Sequence, residues 1–193
     1  MNIYTRQQSE PLEKKLQEFY KRSGKKFEAP NDIFKYGNDL GFTVWKMPLD
    51  EEALDGIIYV RGETKKRIGI NKSLELNAAR FVLAHELAHY IHRYLTDDAD
   101  KLWVAEKDRI FHGDEKEQIE HDMDYLAAAM LVPKEDFILD LKKYSFDFDK
   151  FVDKAKQELR RDVSEQMIKE LSAKYYVDEP VISRRIVEVS YYV

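Results

Sequence analysis

The sequence predicts an α+β protein, a small antiparallel sheet packed on a helical lobe with a further helical segment at the C-terminal end. Three observations carry that prediction. The apolar spacing is helical before residue 41, strand-like between about residues 42 and 70, and helical again after Asn71. Apolar residues make up 44% of 193, enough to bury a core in one domain or one domain with a small appendage. Charged residues reach 36% but are mixed in sign, and with 12% aromatics the composition is that of a folded chain rather than a disordered one.

Residues 5–22 read as a charged amphipathic helix with Leu12, Leu16, Phe19 and Tyr20 on one side. Asn31 stands where a cap would open a second helix, which runs toward Gly41, a stop signal. Phe42, Val44 and Trp45 begin a strand, Ile57 to Val60 form a second, and Arg67 to Ile70 a third. The turn Arg61-Gly62-Glu63-Thr64 joins the last two into an antiparallel hairpin. Residues 74–95 follow as a long helix whose apolar side carries Ala79, Leu83, Leu87, Tyr90 and Ile91. A charged, less regular stretch from Thr96 leads to a helix from about Glu115 to Leu131. That helix ends at Pro133, which can open the next short one. Beyond Asp147 the pattern is three short charged helices.

Some functions are excluded by composition. The chain has no cysteine, so disulfides, thiolate metal sites and cysteine nucleophiles are out, and a bound metal would take histidines and carboxylates. A net charge of −5 argues against a protein wrapped on nucleic acid. The opening MNIYTRQQSEPLEKK lacks the apolar segment of a signal peptide, and Leu126 to Val132, the longest apolar run, cannot cross a bilayer. The expected location is the cytoplasm.

The chemistry-bearing motif is HELAH, residues 85–89, inside the long helix. Two histidines four apart share one helix face, so both imidazoles can reach a single ion. Glu86 lies roughly 100° round the helix from His85. There it can stand beside a metal without ligating it and deprotonate a water, the role of the glutamate in H-E-x-x-H. The bland reading is two stacked histidines on an ordinary buried helix. His92 is a poor third ligand, because seven residues of helix put it about 10 Å along the axis from His85. It fits better as a supporting or structural group. Glu120 is the better candidate, with Asp124 one turn further on the same face to hydrogen-bond the outer nitrogen of a ligating histidine. His121, next to Glu120, competes for the ligand role, and helix-surface carboxylates are common enough that Glu120 and Asp124 alone would signify little.

Several segments together resemble the ImmA/IrrE family of metallopeptidases, a gluzincin-like branch of the zinc proteases, over about residues 35–187. They are MPLDEEALDGIIYV (47–60), RIGIN (67–71), ARFVLAHELAHYIH (79–92), IEHDMDYLAAAMLVP (119–133) and LSAKYYVDEPVISRRI (171–186). The resemblance implies a zincin-like metallopeptidase domain over 1–145 and a helix-turn-helix-like segment over 146–193. It implies zinc held by His85, His89 and Glu120, with Glu86 as the base. Four positions depart from the family pattern: Ala88 replaces the common glycine, Asp124 an asparagine, Leu126 an aromatic and Asp178 a serine. Asp124 keeps a hydrogen-bond acceptor, and Asp178 still suits a helix N-cap.

Members of that family typically cleave helix-turn-helix repressors of mobile elements or stress responses, so the expected substrate is a DNA-binding repressor cut by regulated proteolysis. An extended substrate would pair with a strand edge, for which Arg67–Ile70 is the candidate. His112, Tyr59 and Tyr90 are candidates for holding the oxyanion. One rival is direct DNA binding through Leu171–Tyr176 and Val181–Ile186 with Arg184 and Arg185, although Asp162, Glu165, Glu170, Asp178 and Glu179 dilute the basic charge. The other is a catalytically silent metal-binding partner in a phage or toxin–antitoxin system. An intact Glu86 argues against it, since a pure binder needs no base.

Overall fold

The structure, a computed structural model, describes residues 4–49, 55–61, 64–95, 103–105, 114–144 and 165–192. Helix α1, Arg6–Ser23, opens with the Gln8 side chain accepting the Thr5 backbone N–H at 3.1 Å. It ends at Gly24, whose φ of 64° is the left-handed conformation that glycine adopts without cost. Leu12, Leu16 and Phe19 are buried as their spacing predicts, and Tyr20 packs at the margin. Helix α2, Ile33–Asp39, is capped by Asp32 rather than Asn31, the Asp32 carboxylate accepting the Phe34 N–H at 2.9 Å. Gly41, at φ 88°, turns the chain out of it.

Four strands follow: β1 Phe42–Met47, β2 Gly56–Arg61, β3 Lys65–Asn71 and β4 Trp103–Ala105, in the order β1-β3-β2-β4. The hairpin between β2 and β3 is antiparallel as expected, while Gly62 and Glu63 of its turn lie outside the described residues. The α+β class stands, but the sheet is mixed rather than wholly antiparallel, because β1 runs parallel to β3. The physical reason is the order of insertion. Strand β2 starts at the end of the sheet where β1 stops, and the returning strand β3 fills the space between them. Arg67–Ile70 is therefore hydrogen-bonded on both sides and offers no edge. Strand β4 pairs with β2 and comes from the charged stretch where three residues carry no alternation to read.

Helix α3, Leu76–Tyr94, packs on β2 and β3 on one side and against α1, α2 and α4 on others. Ile58, Val60, Ile68 and Ile70 of the sheet and Leu83, Leu87 and Ile91 of α3 are fully buried, each side chain worth about 2 kcal/mol on removal from water. Helix α4, Asp114–Leu131, packs along α3 more extensively than any other helix does. Ala84 and Ala88 on α3 and Ala127 on α4 are fully buried, and such small side chains let helix axes approach closely.

Pro133 is the N-cap of α5, Lys134–Lys143, one position before the first turn in which a proline is usual. Helices α6, Glu165–Tyr175, and α7, Glu179–Ser190, are the two described members of the predicted C-terminal three. The predicted division at 145/146 falls outside the described residues. Met167, Leu171, Tyr175, Ile182, Ile186 and Val189 join the same apolar cluster as α3, α4 and α5. Asp178 is the N-cap residue of α7, with Pro180 in its first turn.

Arg185 of α7 is fully buried and every nitrogen of its guanidinium is bonded. Nε donates to the Val132 carbonyl at 3.0 Å, Nη1 to the Tyr125 hydroxyl at 3.1 Å and Glu188 at 3.2 Å, and Nη2 to Glu13 at 2.9 Å. One side chain thus ties α1, α4 and α7 together, with the full satisfaction that a buried charge requires. Among the described residues, no helix is long and apolar enough to cross a membrane.

Candidate metal centre

His85 and His89 project from adjacent turns of α3 with ring centroids 4.9 Å apart, and their Nε2 atoms lie 3.2 Å from each other. Glu120, in the first half of α4, faces both: Oε2 is 3.1 Å from His85 Nε2 and Oε1 is 3.7 Å from His89 Nε2. One ligand atom from each of the three residues falls within 4.8 Å of the others, a group that could hold a metal ion. Asp124, one turn beyond Glu120, places Oδ1 2.8 Å from His85 Nδ1. A carboxylate only accepts, so Nδ1 carries the proton and Nε2 is the atom turned toward the ligand cluster.

The electrostatics fit a cation. Burial works against a charge on His85, but hydrogen bonds to Asp124 and Glu120, with the nearby charge of Glu86, push its pKa up to about 10. Partial burial works against ionisation of Glu120, yet hydrogen bonds from His85 and His89 hold its carboxyl well below the usual range. His89 is held down chiefly by burial. Glu120 is thus held ionised against the two rings, and two imidazoles with one carboxylate are the donor set that suits zinc-like ions while leaving a position open.

Glu86 is 6% exposed, and its Oε2 has no hydrogen-bond partner among the described residues. Burial, with the negative charge of Glu120 adding to it and His85 opposing, pushes its pKa up to about 7. A buried carboxylate oxygen without a donor costs free energy unless something at the site engages it.

The other sequence candidates lie elsewhere. His92 does not join the cluster; its Nδ1 faces Lys15 Nζ of α1 at 3.5 Å. His121 points its Nε2 at Glu117, 3.5 Å away, and not at His85 or His89. The Tyr90 hydroxyl accepts from Lys66 Nζ at 2.7 Å, and its ring packs edge-on against Phe42 and Phe19. Alternation along β2 turns Tyr59 to the face opposite the buried Ile58 and Val60, away from α3. His112 lies outside the described residues.

Sequence reasoning missed the supports that reach α4 from α1 and from Tyr4 just before it. The Tyr4 hydroxyl donates to Asp122 at 2.5 Å, and the Tyr125 hydroxyl donates to Glu13 at 2.9 Å, so the helix is pinned two residues before Asp124 and one residue after it. Glu13 on a charged helix carries no signal that separates it from its solvated neighbours.

Comparison with known proteins agrees with this architecture. The chain is similar to a solved Mycobacterium tuberculosis transcriptional regulator, with 15% identity and a TM-score of 0.55. That similarity covers 91% of this chain and 46% of that one, so this chain spans about half of its length. At such identity the likeness concerns the fold. No curated protein matches in sequence. Residues 38–186 match the IrrE N-terminal-like domain, a peptidase family, and because that match spans most of the chain and takes in the sheet, HELAH, Glu120 and the first part of α7, the chain belongs to the IrrE N-terminal-like family.

Proposed function

We propose that this chain is a zinc-dependent endopeptidase whose substrate is a helix-turn-helix transcriptional repressor. The observation that carries the reading is the convergence of His85, His89 and Glu120 within 4.8 Å beside a buried Glu86 with one unpartnered oxygen. A zinc ion bound by those three residues supplies Lewis acidity, polarising a peptide carbonyl and acidifying a water. Glu86 receives the proton that the water loses and returns it to the amide nitrogen as the C–N bond breaks. Its raised pKa suits a group that must both take and release a proton near neutrality. Asp124 keeps the His85 ring in one tautomer and orientation.

The repressor as substrate is supported by the family to which the chain belongs. A DNA-reading role for the C-terminal helices finds less support. Arg184 and Arg185 are 8% and 0% exposed and are paired with Glu188 and Glu13, so neither is presented to a phosphate. The likeness to a transcriptional regulator lies in the fold.

The test is incubation of the zinc-loaded protein with a proteome-derived peptide library and with a purified helix-turn-helix repressor, new N-termini being mapped by mass spectrometry. Wild type generates cleavage sites that Glu86→Gln, carrying equal zinc, does not. Identical products from the two proteins, or none from wild type, would end the peptidase reading. Cleaved peptides with an intact repressor would end only the choice of substrate.

A further inference from the structure

Strand alternation places Gly56, Ile58 and Val60 on one face of β2, and Ile58 and Val60 are fully buried on it. A β-branched residue is what that face favours, yet position 56 is glycine. A methyl group built there would lie 2.6 Å from Val82 Cγ1, 2.8 Å from Glu86 Oε1 and 3.1 Å from Glu86 Cγ. Val82 and Glu86 are one turn apart on α3. Bare strand backbone therefore lies directly against the turn of helix that carries the Glu86 carboxylate. No positive φ is needed at Gly56, in contrast to Gly24 and Gly41, so the fold uses its size and not its conformational freedom.

We propose that Gly56 is a positioning residue for Glu86: its missing side chain lets β2 close over the helix, and the strand then fixes where the carboxylate sits. The proposal rests on reading Glu86 as the base. Oε2 of Glu86 has no hydrogen-bond partner among the described residues, so packing of Oε1 and Cγ against the strand at Gly56 is what restricts the side chain there. Any side chain at position 56 competes for the volume that Oε1 and Cγ now fill. It must displace either the strand or the base, and displacement of a catalytic group by about 1 Å can cost 100-fold in rate.

The experiment is a double-mutant cycle read by thermal unfolding, run in a Val82→Ala background so that the Val82 methyl does not contribute. Its members are that parent, Gly56→Ala, Glu86→Ala and the combination. Gly56→Ala is expected to lower the midpoint by about 5 °C when Glu86 is present, and to lower it far less when Glu86→Ala has vacated the space. Equal losses in both backgrounds overturn the proposal. If Gly56→Ala does not fold, folding of the combination supports it and failure of both overturns it.

Two further readouts separate positioning from general damage. Gly56→Ala alone keeps the wild-type ratio of bound zinc, and on a library peptide that wild type cleaves its kcat falls about 100-fold at unchanged KM. Full kcat in Gly56→Ala overturns the proposal as well. Should wild type cleave no peptide, the peptidase reading fails, and the unfolding cycle still decides whether Gly56 and Glu86 are coupled.

Discussion

Asp124 Oδ1 sits 2.8 Å from His85 Nδ1, while Glu120, one turn earlier on the same helix, sits 3.1 Å from His85 Nε2. Two carboxylates at helical spacing thus grip opposite nitrogens of one imidazole. Asp124→Ala is expected to weaken zinc binding about 10- to 100-fold with the fold intact, because the ring loses the partner that sets its tautomer and angle. Competition with a chromophoric chelator measures this, and unchanged affinity would remove Asp124 from the site.

Removing a ligand should do more. His89→Ala and Glu120→Ala are each expected to lose stoichiometric zinc in metal analysis after dialysis, since two remaining donors hold the ion weakly. His121→Ala is the control and should keep its metal, because its ring faces Glu117. Loss of zinc from His121→Ala with retention in Glu120→Ala would exchange their roles.

Glu86→Gln removes the proton acceptor while preserving shape. A fall in kcat of about 10²- to 10⁴-fold is expected, with the zinc content of wild type. A variant that retains full turnover at equal zinc would place the base elsewhere.

Asp140 provides a pH test away from the metal. Burial pushes its pKa up, but hydrogen bonds from Lys143, Lys174 and Tyr175 outweigh that and hold it at about 2, below its ordinary value of 3.8. A depressed carboxyl contributes stability above its unfolded pKa and loses it as pH falls through the folded one. Asp140→Asn should therefore be less stable than wild type at pH 6, and the difference should close between about pH 4 and pH 2. Because Lys143 and Lys174 are 70% and 46% exposed, solvent screening limits the difference to about 1 kcal/mol. Urea unfolding at several pH values gives the comparison, and a difference that does not change with pH would deny the ion pairs this role.

Arg185→Met should be among the most damaging changes in the chain. It leaves Glu13 and Glu188 without their shared partner, a loss of about 3–5 kcal/mol for a broken buried pair. Denaturant unfolding measures it, and a loss under 1 kcal/mol would mean that Glu13 finds compensation in the Tyr125 hydroxyl.

Much of this protein was determined by sequence alone, wherever the information is local and periodic. HELAH at helical spacing puts two imidazoles on one face, alternation marks β2 and β3, and the Glu120–Asp124 interval matches one helical turn. Tertiary structure decided the rest, because those features depend on which surfaces meet. That β1 runs parallel to β3, and so closes Arg67–Ile70 on both sides, follows from strand order, which periodicity does not encode. Arg184 and Arg185 look like solvent-facing charges in sequence and become buried only because Glu13, from the far end of the chain, and Glu188 meet them. The closeness of Gly56 to Glu86 exists only once β2 is laid across α3. Spacing along a helix fixes direction, whereas the distance between elements is set by the volumes packed between them.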